Sequence, residues 1–384
     1  MIFDPVFIRL KALFLDLCAR FFPEWVVMLA SIVISAVVIL VMGPVIMMYL
    51  TLLERKLLGR IQNRYGPNRV GIWGLLQPVA DGIKMFIKED IVPAHADKII
   101  HLLAPVVTVV PSLMVFLVVP FGNGMTAVNL NIGILYFVAI SSITTIPIFM
   151  GSWASRNKFS VLGGMRAAAQ MISYEAPMTL AIVPVIMASQ TLATATIVES
   201  QGGGFGMNWF IFTPWGLLGF IIYFFCAIAE CNRPPFDLPE AESELIAGFH
   251  TEYSGMKFAL FYMAEYMNAF TLSAIAVTLF LGGWQGPFLP SWIWFFGKTF
   301  LLVCVMIWFR GTFLRFRVDH LMGFAWKFLL PLSLINILIA GLWFLTPAIA
   351  AWALTAGLVV ASFFVFVKLN KTFVPEKRTY VLAD

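Results

Sequence analysis

The segment KFALFYMAEYMNAFTLSAIAVTLFLG, residues 257–282, is almost wholly apolar and carries a single carboxylate, Glu265. About 20 apolar residues cross the hydrocarbon core of a bilayer as a helix, because every backbone polar group is then bonded within the segment. The whole chain shares this character, since 61% of its residues are hydrophobic and 12% are charged, against about half and about a quarter in soluble domains. The composition therefore predicts an all-α integral membrane protein.

Nine segments of the chain are long and apolar enough to span a membrane. They are 26–50, 102–120, 132–153, 177–196, 214–230, 257–282, 292–309, 325–346 and 349–368. Residues 1–25 alternate apolar and charged positions at helical spacing without an uninterrupted apolar core, which predicts an interfacial amphipathic helix and not a cleaved signal. Residues 26–368 are predicted to form one transmembrane domain, with inner loops at 54–101 and 230–257. Residues 369–384 are predicted to form an inner-side tail.

Lysine and arginine alternate between the two ends of these segments. The loop 54–101 carries eight basic residues and the loop 121–131 carries none, and the alternation continues to the C-terminus. The positive-inside rule places the basic loops in the cytoplasm, so we expect the N-terminus outside and the C-terminus inside. Long loops and a long tail favour a bacterial plasma membrane over a mitochondrial inner membrane. The net charge of +5 then reflects topology and anionic lipid headgroups, and it predicts no nucleic-acid partner.

The stretch AECNRPPFDLPEAESELIAGFHTEY, residues 229–253, concentrates acid in an otherwise apolar and basic chain. Its carboxylates are Glu230, Asp237, Glu240, Glu242, Glu244 and Glu252. The paired prolines hold the stretch extended, after which Glu240 and Glu244 lie one helical turn apart, a spacing at which like charges repel. One interpretation is a solvated acidic loop that faces a basic partner. The other is a cluster whose crowding raises some pKa values, so that its members exchange protons near neutral pH.

Two further carboxylates lie within or beside predicted spans. Glu265 is about nine residues into its segment, and so about 12 Å from the segment's end, where an ionised carboxylate must face the protein interior or water. It is either a neutral acid that joins two helices or a proton site, and we favour the proton site. Glu175 precedes Pro177, so it is either the first-turn acid of a helix or, if the helix extends back through Gln170, part of a hydrated path.

The loop 51–90 contains basic residues at helical intervals, a YGPN turn at 65–68 and a second amphipathic run. The apolar stripe of that run consists of Leu75, Leu76, Val79, Ile83, Phe86 and Ile87. This pattern fits a pair of helices that lie on lipid headgroups. It also fits a partly buried shelf, in which Asp81 pairs with Lys84 and Lys88 on one helix face.

Several strings resemble one family, the membrane subunit of proton-pumping NADH:quinone oxidoreductase (respiratory complex I) that is called subunit 1 in mitochondria and the H subunit in bacteria. They are LLERKLLGRIQNRYGPNRVG (52–71), LLQPVADGIKMFIKE (75–89), SYEAP (173–177), AECNRPPFDLPEAESELIAGFHTEYSGMKFALFYMAEY (229–266) and GGW (282–284). The resemblance covers roughly residues 45–345. Its most specific part is RPPFDLPEAESELIAGFHTEYS.

The resemblance implies a position at the heel of the membrane arm, where helices and loops build the chamber that quinone enters from the bilayer. Residues implied to line the chamber are Arg55, Lys56, Asp81, Lys84, Glu89, Arg233 and Glu252. Residues implied to begin the proton path to the pumping subunits are Glu175, Glu230, Glu265, Asp81, Tyr266, Glu240, Glu242 and Glu244. The family's basic segment after the seventh span corresponds to Arg310, Arg315, Arg317 and Asp319.

The chain itself is expected to hold no redox centre and no metal. It lacks a dinucleotide fingerprint, and its four cysteines are too scattered for a cluster or zinc site. The resemblance implies quinone as a substrate bound at the interface with peripheral subunits, and it implies FMN and iron–sulfur clusters on partner subunits. The expected partners are the peripheral subunits that carry the terminal cluster and the quinone-reducing site, neighbouring membrane-arm subunits, and lipid. Quinone reduction would be coupled to proton translocation through the buried carboxylates.

Two other functions are compatible with these residues. The homologous membrane component of a proton-pumping membrane-bound hydrogenase shares the acid-rich helices. A proton-coupled transporter also uses buried carboxylates and broken helices, although the chain shows no internal repeat. A purely structural anchor is disfavoured, because buried ionisable groups are costly to retain without a use.

Overall fold

The computed structural model describes residues 5–203, 206, 208–239, 246–346, 352–358 and 360–361. Within these ranges the chain is helical and contains no β-strand, which confirms the predicted all-α class. Glu240, Glu242 and Glu244 lie outside the described residues. The same holds for most of the predicted span 349–368 and for the whole predicted tail 369–384.

The described helices follow the chain in the order in which we number them. They are α1 (Pro5–Ala19), α2 (Glu24–Ile61), α3 (Gln77–Ile87), α4 (Lys98–Val115), α5 (Gly133–Ile143), α6 (Thr145–Ala154), α7 (Lys158–Ser189), α8 (Thr194–Ser200), α9 (Pro214–Glu230), α10 (Gly255–Phe280), α11 (Ser291–Thr312), α12 (Val318–Phe324) and α13 (Leu330–Leu345). A π-helical turn, Ala325–Leu329, joins α12 to α13. Short 3-10 turns occur at Ile72–Gly74, Phe210–Phe212 and Gly248–His250.

Seven helical segments of the described chain are long and apolar enough to cross a membrane, counting α5 with α6 and α12 with α13 as one segment each. Together with the shorter apolar helix α9, they overlap eight of the nine predicted spans, with different ends at several of them. Helix α9 begins and ends at the predicted residues. Its start is sharp because the Thr213 hydroxyl accepts the Gly216 N–H and because Pro214 suits the first position of a helix.

Helix α2 is longer than predicted. The prediction ended the first span at residue 50 and placed Glu54, Arg55 and Lys56 in a loop, but the helix continues to Ile61. The continuation follows from composition, since Leu, Glu, Arg and Lys all favour helix and no glycine occurs between these residues and Gly59. The three charged residues therefore project at fixed angles from the end of a membrane-spanning helix.

Helix α7 begins well before the predicted span 177–196. The side chain of Asn157 caps its first turn by accepting a backbone N–H, and the helix then runs through Gln170 and Glu175 and past Pro177. Of the two interpretations left open for Glu175, the helix that extends back through Gln170 is the one observed. Prolines are tolerated in this position because neighbouring helices in a membrane protein can bond the carbonyls that they free.

The two ends of the bundle differ in charge. We call one the basic end; its connecting segments are 62–76, 88–97, 155–157, 231–239, 246–254 and 313–317. These segments are bonded to one another: the Ile91 N–H donates to the Ser254 hydroxyl at 2.9 Å, and the Phe316 N–H donates to the Pro235 carbonyl at 3.1 Å. The described connections at the opposite end are 116–132, 190–203, 208–213 and 281–290.

Helix α10 lies at the centre of the bundle, where it packs on α4, α9 and α11. Its second half is enclosed by apolar and aromatic side chains such as Phe270 and Phe280. The first half of α2 is exposed on most sides, and the Lys11 ammonium of α1 donates to its Ser35 hydroxyl at 2.9 Å. The interfacial position of α1 stays a prediction. Because α10 is enclosed, any charged residue on it must find its partners within the protein.

Candidate functional site

Glu54 is an enclosed carboxylate at the basic end, with its side chain 5% exposed. Its Oε2 accepts hydrogen bonds from Arg233 Nη1 at 2.9 Å and from the Tyr266 hydroxyl at 2.7 Å. Its Oε1 accepts a hydrogen bond from Nη1 of Arg310. The four residues come from α2, the segment after α9, α10 and α11, so four elements converge on one carboxylate.

Arg233 lies between two carboxylates. Its Nη1 bonds Glu54, and its Nε lies 2.7 Å from Oε1 of Glu265 on α10. The guanidinium carbon also lies over the Tyr266 ring, 4.1 Å from its centroid, a favourable cation–π arrangement. Burial by itself lowers the pKa of Arg233, but the Glu265 and Glu54 carboxylates outweigh it and hold the pKa well above its usual value. Arg233 therefore keeps its charge, and two acids share that charge.

Two tyrosines on α10 extend this network. The hydroxyl oxygens of Tyr262 and Tyr266 are 2.9 Å apart, and the Tyr266 hydroxyl donates to Glu54. A phenol has one proton to donate, so the bond between the two tyrosines must have Tyr262 as its donor. The three groups form a hydrogen-bonded chain with one direction, which ends at the Glu54 carboxylate.

We call Glu54, Arg233, Glu265 and Arg310 the charge cluster. Its two guanidinium groups and two carboxylates balance, which offsets part of the cost of burying Glu54, Arg233 and Glu265; the Arg310 side chain is 38% exposed. A cavity of about 20 Å³ adjoins Glu54, Arg233 and Arg310 and has room for about one water molecule. Because the cluster is balanced, protonation of either carboxylate leaves it with a net positive charge.

A second cavity, of about 30 Å³, lies between Glu265 and Glu230. The polar side chains in its lining also include Thr108, Thr144, Asn232, His250 and Asn268. This volume has room for about two water molecules, and water is stable in a cavity that offers several polar partners. The cavity can therefore connect the charge cluster on α10 with the end of α9 by hydrogen bonds.

Glu230 is buried at the last residue of α9, and its Oε2 has no hydrogen-bond donor among the described residues. Glu175, half-buried on α7, lies close enough for the two carboxylates to repel each other. Helices α7 and α9 pack against each other along much of their length. The structure thus places Glu175 on α7, Glu230 at the end of α9 and Glu265 on α10.

Asp81 lies apart from the charge cluster, on helix α3. Its carboxylate accepts a hydrogen bond from Arg55 Nη1 at 2.5 Å and lies 3.7 Å from Lys84 Nζ. The predicted pairing with Lys84 is therefore present, whereas among the described residues Asp81 forms no ion pair with Lys88. The Arg55 side chain is 51% exposed although its neighbour Glu54 is buried. Two successive residues of α2 therefore lie in different surroundings: Glu54 in the protein interior and Arg55 on the surface of the basic end.

The other residues predicted for the quinone chamber bond the segments of the basic end to one another. Lys56 donates to the Trp73 carbonyl at 2.5 Å, and the Glu89 carbonyl accepts from a serine hydroxyl at the start of α10. Glu252 accepts a hydrogen bond from the Asn157 amide at 2.7 Å. In the part of the chain that the structure describes, no three His, Cys, Asp or Glu side chains are grouped closely enough to hold a metal ion.

An open cleft of about 830 Å³ lies beside the end of α2 and the YGPN turn, which packs on α2 through Gly66. It is lined by Arg55, Leu58, Arg64, Tyr65, Gly66, Pro67, Asn68, Arg69 and Gln77. Small-molecule sites commonly have volumes of about 300–1,000 Å³. The cleft reaches that range, whereas the two buried cavities reach only the size of water.

Sequence reasoning did not identify Glu54 as a site residue, and it noted Arg310 only as part of a basic segment. A signal for Glu54 was present, because Ile46, Leu50 and Glu54 follow one another at four-residue intervals and are all buried. Residues four apart lie on one face of a helix. An extension of the first span by one turn would have placed Glu54 on the buried face of α2.

Residues 34–341 match the family described as NADH dehydrogenase. The H subunit of NADH-quinone oxidoreductase from Dehalococcoides mccartyi (strain CBDB1) is 51% identical over 321 residues, which cover 84% of this chain and 89% of that protein. The protein named as the second H subunit of the same enzyme in Syntrophobacter fumaroxidans is 48% identical over 330 residues, 84% of this chain and 97% of that protein. The first H subunit of Geobacter sulfurreducens is 46% identical over 333 residues, which cover 81% of this chain and 94% of that protein.

Proposed function

The chain belongs to the NADH dehydrogenase family, and from this premise we propose that it is the membrane subunit of a proton-translocating NADH:quinone oxidoreductase, respiratory complex I. Within that enzyme it would form much of the quinone-binding chamber and couple quinone reduction to proton translocation through buried carboxylates. The proposal is supported by relatives that match most of the chain and are named as the H subunit of NADH-quinone oxidoreductase.

The observation that carries the proposal is the sharing of Arg233 between Glu54 and Glu265. The two carboxylates lie on different helices, and an arginine cannot give up its charge at physiological pH. When one carboxylate takes up a proton, the guanidinium is attracted only to the other, so its position follows the protonation state of the pair. Charged groups buried in a membrane protein are typical of ion and proton pathways.

The proposed coupling begins with a change of charge at the basic end, because quinone reduction consumes protons there. That change alters how strongly each carboxylate attracts Arg233, and with it the affinity of Glu265 for a proton. Water in the cavity beside Glu265 would allow protons to pass between Glu265 and Glu230. Repulsion between Glu230 and Glu175 then transmits the change to α7. The tyrosine pair offers a second route, since its hydrogen bonds end on Glu54.

The quinone ring is proposed to bind against this chain and not within it. The two buried cavities, of about 20 and 30 Å³, hold water at most, so partner surfaces must complete a quinone-sized chamber. The chain would contribute the surface around Arg55, Asp81 and Lys84. The segment 240–244, with its three acids, directly follows the part of the chain that carries Arg233, which favours a place beside the quinone-reducing end.

The same proposal assigns FMN and the iron–sulfur clusters to partner subunits, with quinone bound where the peripheral subunits meet this chain. Neighbouring membrane-arm subunits and lipid would surround the remaining faces. The membrane would be a bacterial plasma membrane, with the N-terminus outside and the C-terminus inside, as the distribution of lysine and arginine favours.

Glutamine substitutions in the intact complex test the proposed proton path. Glu265→Gln and Glu230→Gln each remove a protonatable group at nearly constant shape, so quinone-linked proton pumping in proteoliposomes should fall by roughly tenfold or more. Assembly, and electron transfer from NADH to artificial acceptors, should stay largely intact.

The matched control is Glu199→Gln, which changes an exposed carboxylate at the opposite end of the bundle and should preserve pumping. Pumping at the wild-type rate in both Glu265→Gln and Glu230→Gln would contradict the proposed function.

A further inference from the structure

Gln170 is a fully buried amide in the middle of α7, with 1% of its surface exposed. Its Nε2 donates to the Phe236 carbonyl at 2.7 Å and to the Ala229 carbonyl at 2.8 Å, and it lies 3.2 Å from Oδ1 of Asn232. Backbone carbonyls only accept hydrogen bonds, so the NH₂ group of the amide must face these atoms. The two N–H bonds of Gln170 are thus used by two carbonyls of one short segment.

The two carbonyls lie on either side of Arg233 in the chain. Ala229 is in the last turn of α9, and its carbonyl also accepts the Asn232 N–H. Phe236 follows the paired prolines, and its carbonyl also accepts the Leu238 N–H. Short-range hydrogen bonds also hold the segment, since the Asn232 N–H donates to the Ala229 carbonyl at 3.1 Å and the Phe236 N–H donates to the Arg233 carbonyl at 2.9 Å. These bonds link neighbouring residues and do not join the two ends of the segment. The amide of Gln170 therefore closes the segment 229–236 into a loop of fixed width.

We propose that Gln170 is the positioning residue of Arg233: by bonding both ends of the 229–236 loop, its amide holds the guanidinium between Glu54 and Glu265. Gln170 is on the same helix as Glu175, five residues earlier. We call the two hydrogen bonds from the Gln170 amide to the 229–236 loop the clamp. The clamp connects α7, which carries Glu175, to the loop whose Arg233 is shared by Glu54 and Glu265. The role of this coupling in turnover rests on the proposed function, whereas the clamp itself does not.

Hydrogen exchange of the purified complex tests the clamp directly. In Gln170→Leu each carbonyl keeps only its backbone donor, the Asn232 N–H for Ala229 and the Leu238 N–H for Phe236, and the side-chain link between the two ends is lost. The peptide that covers 229–236 should therefore exchange about tenfold faster, the change expected when one buried hydrogen bond no longer restrains local opening. The amides that report this are those of Asn232, Arg233 and Phe236, which are bonded within the loop.

Gln201→Leu is the matched control, because Gln201 is also fully buried and donates to two backbone carbonyls, those of Ile197 and Thr278, at the opposite end of the bundle. Its substitution should accelerate exchange near those residues and leave the 229–236 peptide unchanged. Quinone-linked pumping in the assembled Gln201→Leu complex should remain at the wild-type level.

A double-mutant cycle tests whether Gln170 acts through Arg233. Gln170→Leu and Arg233→Lys should each lower quinone-linked pumping and displace its pH optimum in the same direction, while NADH oxidation by artificial acceptors is retained. In the double variant, Gln170→Leu should add no further loss to that of Arg233→Lys, since residues that act as one unit are not additive.

Two results would overturn the inference: wild-type exchange of the 229–236 peptide in Gln170→Leu, or losses from the two substitutions that multiply in the double variant. Failure of the proposed function has a different signature. Pumping at the wild-type rate in Arg233→Lys would reject the role of the charge cluster, even if the exchange data established the clamp.

Discussion

The Glu54 carboxylate accepts hydrogen bonds from the guanidinium groups of Arg233 and Arg310 and from the hydroxyl of a tyrosine. Removal of one partner from a buried ion pair typically costs about 3–5 kcal/mol, because the remaining charge is left uncompensated. The pair formed by Arg317 and Asp319 is the opposite case, since both side chains are 79% exposed and 3.5 Å apart. Exposed pairs contribute about 0–1 kcal/mol.

Glu54→Gln is therefore expected to destabilise the chain by about 3 kcal/mol, because Arg233 and Arg310 lose the anion that they share. Asp319→Asn is the control and should change stability by less than about 1 kcal/mol. Thermal unfolding of the purified complex measures both effects. Equal melting temperatures for the two variants would show that Glu54 does not hold the charge cluster together.

The residues of the charge cluster were only partly predictable. Asp81 and Lys84, outside the cluster, were predicted to pair because they lie three residues apart on a helix, and the pair is present. Glu54 and Arg233 are 179 residues apart in the chain, and nothing in local spacing relates them. Glu265 was identified as a site candidate because a lone acid in an apolar span needs a partner, but the identity of that partner depends on the packing of several helices.

At the scale of the elements, α7 approaches the turn at Gly248–His250 unusually closely. A Cβ atom at Gly163 would lie 2.8 Å from the Cα of Gly248, a backbone atom that cannot rotate away. The hydroxyl of Ser160, one turn earlier, donates to the Phe249 carbonyl at 3.3 Å. The absence of a side chain at Gly163 therefore allows α7 to pack directly against the Gly248–His250 turn, through which the acidic stretch leads to α10.

Gly163→Ala should destabilise the chain by about 1–3 kcal/mol, since the added methyl group overfills a packed contact. Gly297→Ala offers the matched control: Gly297 lies within α11, and a Cβ there meets no atom within 4 Å. That change should be neutral or stabilise by up to about 1 kcal/mol, because alanine favours helix. The melting temperatures of the purified complexes measure both effects. A Gly163→Ala variant that melts at the wild-type temperature would refute the close contact.

Element positions were predicted well where the sequence contains a stop signal and poorly where it does not. Thr213 and Pro214 mark the start of α9, and its predicted bounds were correct. The prediction began the fourth span at Pro177, although the helix starts at Lys158, because proline usually marks a helix start but is tolerated inside a membrane helix. The predicted end of the first span at residue 50 comes too early for a different reason, because charged residues indicate a loop after a membrane span although Glu, Arg and Lys favour helix.

At the scale of the whole molecule, the distribution of charge predicts the orientation in the membrane. Ile72 at the basic end is 77% exposed, and Phe288 at the opposite end is 95% exposed. In intact cells, a membrane-impermeant maleimide should therefore label Phe288→Cys, whereas Ile72→Cys should react only after the membrane is opened. Cys226 and Cys231 are buried and should stay unlabelled, so only Cys18 and Cys304 need replacement beforehand. The reverse pattern of labelling would invert the predicted orientation.

Helices α2 and α10 have opposite properties among the seven spanning segments: α2 is the most apolar and the least buried, and α10 is the least apolar and the most buried. During co-translational insertion, an acid at the centre of a helix adds about 2.5–3.5 kcal/mol to the transfer of that helix into lipid. Helix α2 is synthesised early and is stable in lipid alone. Glu54 and Arg233 both precede Glu265 in the chain, so the nascent protein already holds a cation for Glu265 when α10 leaves the ribosome.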